Sequence, residues 1–192
     1  MAATMALRKR FTVDDYYRMA EEGILSSQER VELIDGEVVV MSPIGPRHAA
    51  CVTSATRELV RVVGDNGLVR PGNPVRLSTF NEPQPDFTVV RPRADLYSSS
   101  HPEPTDVMLV VEISDSSLAY DRGVKARLYA QWGLVEYWLA DLNAERVWIY
   151  SSPKNGTYRT LEERRRGETL ALSLLPACVV SVDAFLLASN PT

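Results

Sequence analysis

Cysteine and histidine are scarce in this sequence, with two of each among 192 residues. Cys51 and Cys178 are too few for a disulfide framework or a cysteine-based zinc site, and two histidines argue against a histidine-rich metal site. No apolar run reaches the ~18 residues that would span a membrane. Residues 8–10 are basic, but polar sequence follows them, without the apolar core of a signal peptide. These absences predict a reduced, soluble, cytoplasmic protein.

Positive charge is not in excess either. Lysine and arginine number 21 against 25 acidic residues, which gives a formal net charge of −4 and a pI of about 5.3. This balance argues against a dedicated nucleic-acid coat, for which a pI above ~9 is typical, but it allows an enzyme that contacts nucleic acid locally. The length and the 45% hydrophobic content predict one globular domain spanning residues 1–192.

Capping and turn signals define the N-terminal elements. Thr12, followed three residues later by Asp15, is typical of a helix start, and this helix should run to about Glu22. Asp35 and Gly36 separate two apolar runs. Because a type I′ turn needs positive φ at both central positions, this pair predicts a β-hairpin.

The next segments predict a second helix and the first strands of a sheet. The helix should cover residues 47–63, and strands are expected at residues 75–80 and 86–90. Apolar residues recur at helical spacing on the predicted helix and should face the core: Val52, Ala55, Leu59 and Val62.

The second half is rich in predicted strands. Residues 107–113 are nearly all apolar, which is typical of a central strand covered on both faces. A helix should follow over residues 118–132. Shorter strands are then expected at residues 136–140, 146–150, 157–162, 169–174 and 179–182, before a short final helix. The whole pattern predicts a mixed α/β domain with a strand-rich C-terminal half.

Glu112 is the most informative residue, because it lies near the end of that apolar strand. A buried carboxylate is costly unless it is paired or binds a metal, although the strand could instead end early and leave Glu112 in solvent. Asp86, at the start of a neighbouring predicted strand, would supply a second carboxylate. By itself Asp86 is more typical of a turn or a cap. Two acids on adjacent strands could share Mg²⁺ or Mn²⁺.

Two further charged residues admit both a functional and a plain interpretation. Lys125 shares a helical face with Asp121, so it could form an exposed ion pair or could place its ammonium over a metal site. Glu32 alternates with apolar neighbours and should point away from them, towards solvent or into an acidic cluster.

Several motifs in this order resemble the Uma-two (Uma2) family of restriction-endonuclease-like proteins. Pro85-Asp86 followed by Glu112-Ile113-Ser114 looks like the PD-(D/E)XK nuclease signature, with Ser114 at the lysine position. The further matching motifs are Glu32-Leu33-Ile34-Asp35-Gly36-Glu37, Met41-Ser42-Pro43, His48, Asp121-Arg122 with Lys125, and Glu136-Tyr137-Trp138. The resemblance extends over about residues 11–187.

The resemblance implies a restriction-endonuclease-like core, a mixed sheet flanked by helices. It implies that Asp86, Glu112 and the Ile113 carbonyl bind Mg²⁺ or Mn²⁺. It also implies that Glu32 lies in the site and that Lys125 replaces the strand lysine. The implied reaction is metal-assisted hydrolysis of DNA phosphodiester bonds.

Other residues and partners are less defined by the sequence. His48 and Ser114 are candidates to contact substrate, although His48 could equally cap a helix or be exposed. Arginines that could meet DNA are Arg47, Arg57, Arg61, Arg91 and Arg93, whereas the 164–166 triplet, flanked by glutamates, is more typical of a solvated turn. Cleavage of both strands would suit a homodimer. The alternative is a non-catalytic nucleic-acid-binding or assembly module on the same fold.

Overall fold

A computed structural model describes residues 8–26 and 28–187. The chain divides into two compact units. The smaller comprises Met1–Pro43 and Arg76–Pro83, and the larger comprises Ile44–Val75 and Gln84–Thr192. The organisation of residues 1–192 as one domain stays a prediction. Within the described ranges no helix has the length and apolar character needed to cross a membrane.

The smaller unit holds one helix and one hairpin. Helix α1 (Val13–Glu21) begins with the predicted capping box between Thr12 and Asp15. Strands β1 (Val31–Ile34) and β2 (Glu37–Val40) are antiparallel and pair Ile34 with Glu37.

The turn of this hairpin has the predicted conformation. Asp35 and Gly36 have φ values of 51° and 77°, so both occupy the left-handed region. A Cβ at Gly36 would lie 2.6 Å from the Cβ of Arg10, so glycine is required here by space as well as by φ.

A six-stranded mixed sheet forms the centre of the larger unit, in the order β3-β4-β5-β6-β7-β8. Strands β5 and β6 are parallel and every other neighbouring pair is antiparallel. The strands are β3 (Leu68–Pro71), β4 (Phe87–Val90), β5 (Val107–Ser114), β6 (Glu136–Asp141), β7 (Arg146–Lys154) and β8 (Thr157–Arg165). The predicted α/β class, mixed sheet and strand-rich second half are confirmed.

Helix α2 (Pro46–Val63) and a hairpin of β9 (Thr169–Leu172) and β10 (Leu175–Ser181) enclose the main core. Side chains alternate along β5, because successive residues of a strand point to opposite faces. Leu109, Val111 and Ile113 therefore enter this core, and Glu112 points to the other face. All eight residues of β5 are buried, as its apolar sequence predicts.

The second face of the sheet carries a helical segment of unusual form. It consists of α3 (Leu118–Tyr120), a π-helix (Asp121–Lys125) and α4 (Ala126–Gln131). The sequence predicts one helix over residues 118–132, so the location is correct. The π-helical middle is a local departure of the kind that recurs at functional sites.

Two details of the predicted elements are wrong. Residues 75–80 do not form a strand; they belong to an irregular segment with isolated bridges, Ser78 to Asn81 and Leu33 to Glu82. On α2 the predicted core residues Ala55 and Leu59 are buried, but Val52 and Val62 are only partly so. The remaining core positions of α2 are one residue away, at Cys51 and Val63.

Candidate active site at the ends of two neighbouring strands

Asp86 and Glu112 meet where β4 begins and β5 ends. The antiparallel register pairs Phe87 with Val111, so its next step places Asp86 opposite Glu112. The backbone N–H of Asp86 donates to Glu112 Oε2 at 3.3 Å, and the backbone N–H of Ile113 donates to Asp86 Oδ2 at 2.7 Å. Each acid is therefore positioned by the main chain of the neighbouring strand.

Glu112 is 4% exposed, and its charge is balanced within the protein. Lys125 Nζ lies 2.8 Å from Glu112 Oε1, and the Tyr129 hydroxyl donates to the same oxygen, also at 2.8 Å. A buried carboxylate needs such partners, because its desolvation would otherwise cost several kcal/mol. The strand does not end early, and Glu112 is not in solvent.

Lys125 and Tyr129 reach one oxygen because they are four residues apart on consecutive helical turns. Lys125 ends the π-helix and Tyr129 lies in α4, and both are buried. The alternative prediction of an exposed Asp121–Lys125 ion pair is wrong, because Lys125 is 3% exposed and forms its ion pair with Glu112.

Asp121 lies buried at the start of the π-helix, next to the end of β5. It accepts a hydrogen bond from the Ser117 hydroxyl at 2.5 Å, and the Ser114 hydroxyl oxygen lies 3.4 Å from that of Ser117. Burial raises the pKa of Asp121, against the lowering effects of the Ser117 hydrogen bond and the Lys125 charge. Ser114, at the position of the expected strand lysine, is thus a buried neighbour of Asp121.

His48 contacts the other carboxylate. Helix α2 begins with Gly45 as N-cap and Pro46 in the first turn, which places His48 near the start of the helix. Its Nε2 lies 2.9 Å from Asp86 Oδ2. His48 is therefore neither a helix cap nor a freely exposed residue.

Glu32 belongs to the smaller unit. It lies on β1 opposite Val39 and is 2% exposed, so it does not point into solvent. Burial raises the pKa of Tyr16, and the charges of Glu82 and then of Glu32 raise it further. Its assignment to the reaction stays a prediction.

The pair of carboxylates has the chemistry that a hard divalent cation requires. No group of three or more His, Cys, Asp or Glu side chains suited to a metal ion occurs within residues 8–26 and 28–187. Mg²⁺, however, is commonly held by one or two carboxylates, with waters and substrate phosphates completing its octahedron. Asp86 and Glu112 supply two, and the main chain of Ile113 lies beside them. The residues fit Mg²⁺ or Mn²⁺ on their donor chemistry.

Most of the arginines suggested by the sequence as DNA contacts are held by other groups. Arg47 bonds to Leu142 and Asn143 and pairs with Asp115. Arg61 pairs with Glu58, Arg91 donates to the Thr105 carbonyl, and Arg93 pairs with Asp95. The arginine triplet is also ion-paired: its partners are Glu162 for Arg164, Glu163 for Arg165, and Glu145 with Asp183 for Arg166.

Sequence reasoning misses two members of the site. Tyr129 belongs to an aromatic cluster that the sequence assigns to the core, and burial alone does not reveal its hydrogen bond to Glu112. Asp121 stands out as the partner of Lys125 in an exposed pair and as part of a family motif, and neither observation gives it a place in the site. The signal that could have found both is their spacing: Asp121, Lys125 and Tyr129 recur every four residues on a helix that follows an acidic strand.

Comparison with known proteins agrees with this architecture. Residues 13–183 match the model of the Uma2 family, described as "putative restriction endonuclease". No protein of curated function matches the sequence.

Two solved structures are similar to the chain to different degrees. A "putative nuclease belonging to DUF820" from Anabaena variabilis ATCC 29413 has a TM-score of 0.69 at 14% identity, over 91% of this chain and 97% of that one. A DrdV–DNA complex gives a TM-score of 0.32 at 12% identity, over 59% of this chain and 12% of that one, which is too low to carry an argument. The first likeness shows a shared fold, and the family match over residues 13–183 shows that the chain belongs to the Uma2 family.

Proposed function

We propose that this Uma2 protein is a nuclease that hydrolyses DNA phosphodiester bonds in the presence of Mg²⁺ or Mn²⁺, through a PD-(D/E)XK-type site. The observation that supports the proposal best is the convergence of three groups. The carboxylates of Asp86 and Glu112 meet across β4 and β5, and the Lys125 ammonium lies 2.8 Å from Glu112. Two acids and one cation at a strand end are the groups that phosphoryl transfer requires.

Asp86 and Glu112 would hold the metal, with the Ile113 carbonyl as a third oxygen. When bound, the metal ion lowers the pKa of a water molecule and neutralises charge on the phosphate. Ile113 and His48 orient the Asp86 carboxylate through its Oδ2 atom. Tyr129 holds Glu112 in one rotamer by its hydrogen bond to Oε1.

Lys125 takes the role that the strand lysine has in the PD-(D/E)XK pattern. Its ammonium is a preorganised positive charge in a water-poor site, where it stabilises the negative charge that develops on the phosphate. Ser114 is uncharged and cannot take this role; its hydroxyl oxygen instead lies 3.4 Å from that of Ser117. His48 and Ser114 lie within the same group of residues and are the candidates for contact with substrate.

The test combines metal binding with DNA cleavage. Mn²⁺ titrated into the wild-type protein should give saturable binding that Asp86→Asn weakens at least tenfold, because one of two charged ligands is lost. The matched control is Glu162→Gln, which removes one acidic charge from the exposed surface of β8. The wild type and the control should nick supercoiled plasmid with Mg²⁺ or Mn²⁺ but not in the presence of EDTA. Asp86→Asn should leave the plasmid intact even with the metal.

Two results would separate the rival functions. Equal Mn²⁺ binding by the wild type and Asp86→Asn would remove the proposed metal site. Saturable metal and DNA binding without nicking of plasmid at any metal or salt concentration would favour the non-catalytic module.

We also propose a homodimer for double-strand cleavage, because two-fold symmetry supplies two sites. A monomeric mass for the DNA-bound protein would contradict it.

A further inference from the structure

A second cluster of charged residues lies at the β3 edge of the sheet. The guanidinium of Arg93 lies 3.8 Å from the centre of the Tyr97 ring, and the guanidinium of Arg70 lies 5.2 Å from the same centre. Two cations thus share one aromatic ring, although like charges repel. Such an arrangement needs a structural reason.

The loop that carries Tyr97 is built to hold this ring in place. Arg93 donates to both carboxylate oxygens of Asp95, at 2.5 and 3.1 Å, and the Tyr97 hydroxyl donates to the Arg91 carbonyl at 3.0 Å. Leu96 and Tyr97 have φ values of 52° and 63°, in the left-handed region that disfavours residues other than glycine. Two consecutive residues in this region cost free energy, and what they achieve is the placement of the buried Tyr97 ring.

Arg70 differs from Arg93 because no acid balances it. Among residues 8–26 and 28–187, no carboxylate pairs with Arg70, and its enclosed Nε atom has no hydrogen-bond partner. Burial lowers the pKa of the Arg70 guanidinium; Tyr97 raises it, and the nearby Arg93 charge lowers it. A half-buried guanidinium whose charge no carboxylate balances is the group that binds a phosphate oxygen with a strong, charge-assisted hydrogen bond.

The sheet register places Arg70 near Asp86. Arg70 pairs with Thr88 across β3 and β4, so both side chains lie on one face, and Asp86 lies two residues before Thr88 on that face. The backbone N–H of Gly72 donates to the Asp86 carbonyl at 2.9 Å, which extends the same ladder to Asp86. Arg70 is therefore a diagonal neighbour of Asp86. The Cα atoms of such a pair are usually roughly 7–8 Å apart.

We propose that Arg70, supported by Tyr97 and Arg93, binds a backbone phosphate of DNA that flanks the phosphate at Asp86 and Glu112. This inference rests on the proposed function for the position of the strand. A DNA strand carries one phosphate every ~3.4 Å along the helix axis, so a strand with one phosphate at the two acids has others within reach of Arg70. This site contacts only the DNA backbone. It therefore adds affinity and fixes the position of the protein along the duplex without recognising the base sequence.

Binding of a short fluorescein-labelled duplex, measured by anisotropy in EDTA over a range of KCl concentrations, tests this site without cleavage. Arg70→Gln should weaken binding about tenfold and should reduce the slope of log K against log[KCl] by about 0.9, the loss of one phosphate contact. Arg70→Lys should keep the wild-type slope because the charge remains. The matched control is Arg159→Gln, the same charge change on exposed β8 at the opposite edge of the sheet, which should leave the slope unchanged.

The outcomes distinguish this inference from the proposed nuclease function. A wild-type slope in Arg70→Gln, with plasmid nicking retained, overturns the phosphate site and leaves the nuclease standing. DNA binding that depends on Arg70, in a protein that never nicks plasmid, supports the phosphate site and rejects the nuclease. Absence of duplex binding by the wild type overturns the phosphate site. Thermal melting of each variant shows whether it is folded. If Arg70→Gln is not folded, Arg70→Met, which also removes the charge, takes its place in the slope measurement, and a wild-type slope there overturns the phosphate site.

Discussion

The ammonium of Lys125 lies 2.8 Å from Oε1 of Glu112, and both side chains are almost completely buried. The lysine comes from a helix, whereas the glutamate comes from the central strand. The pair therefore connects two layers of the larger unit and places a positive charge at the acidic strand end. It has consequences for stability as well as for chemistry.

We predict that Glu112 and Lys125 are strongly coupled. Lys125→Met should abolish plasmid nicking, and it should cost about 3–5 kcal/mol of unfolding free energy, because it removes the opposite charge beside a buried carboxylate. The double variant Glu112→Gln/Lys125→Met should cost less than the sum of the two single variants, as measured by urea denaturation.

The exposed pair of Glu58 and Arg61 on α2 is the control for this cycle. Its coupling should be at most about 0.5 kcal/mol, since solvent screens it. Additivity at Glu112 and Lys125 to within about 0.5 kcal/mol would contradict the predicted coupling.

Tyr129→Phe removes one hydrogen bond from Glu112 without removing the ring. We expect a loss of about 1.5–3 kcal/mol in stability, the range for a hydrogen bond to a charged group, and slower plasmid nicking. Tyr150→Phe is a matched control. Both rings contact Tyr137, but the Tyr150 hydroxyl has no hydrogen-bond partner in the part of the chain that the structure describes. Equal melting temperatures for Tyr129→Phe and Tyr150→Phe would show that the Tyr129 bond contributes nothing.

Glu136 gives a pH-dependent prediction away from the site. Burial raises its pKa above 4.5, against the lowering effects of hydrogen bonds from Ser173 and Trp138. Because its folded-state pKa is raised, Glu136 favours the folded state when protonated, and this contribution is lost as the pH rises from 4.5 through the folded-state pKa. The melting temperature of Glu136→Gln relative to the wild type should therefore increase between about pH 4 and pH 7. A constant or falling difference would refute the raised pKa.

Elements defined by local chemistry could be predicted from the sequence. The Asp35-Gly36 hairpin and the Thr12 cap depend on residues adjacent in the chain, and both have the expected geometry. The strand predicted at residues 75–80 does not form. Its alternating apolar residues Val75 and Leu77 are buried in an irregular segment, without pairing to a neighbouring strand. Strand β3 was missed because its four residues, ending at Pro71, are too few to show a period.

The candidate site was predictable only in part, because its contacts are long-range. Glu112 stood out as a charge in an apolar run, and Asp86 as a second acid on a neighbouring strand. The bond from Tyr129 to Glu112 joins residues 17 apart in the chain, and the pairing of Arg70 with Thr88 depends on the register of a strand that the sequence did not reveal. Neither periodicity nor local propensity reports such contacts.

The shared oxygen of Glu112 also determines how an inactive form of the protein is best made. Glu112 Oε1 holds Lys125 and Tyr129, so replacing the glutamate removes the opposite charge beside a buried ammonium and weakens the attachment of the helix to β5. Asp86 accepts hydrogen bonds that an asparagine oxygen can also accept. Asp86→Asn is therefore the substitution that removes one of the two charges proposed to bind the metal while preserving the architecture, and it is the form we propose for trapping the protein on intact DNA.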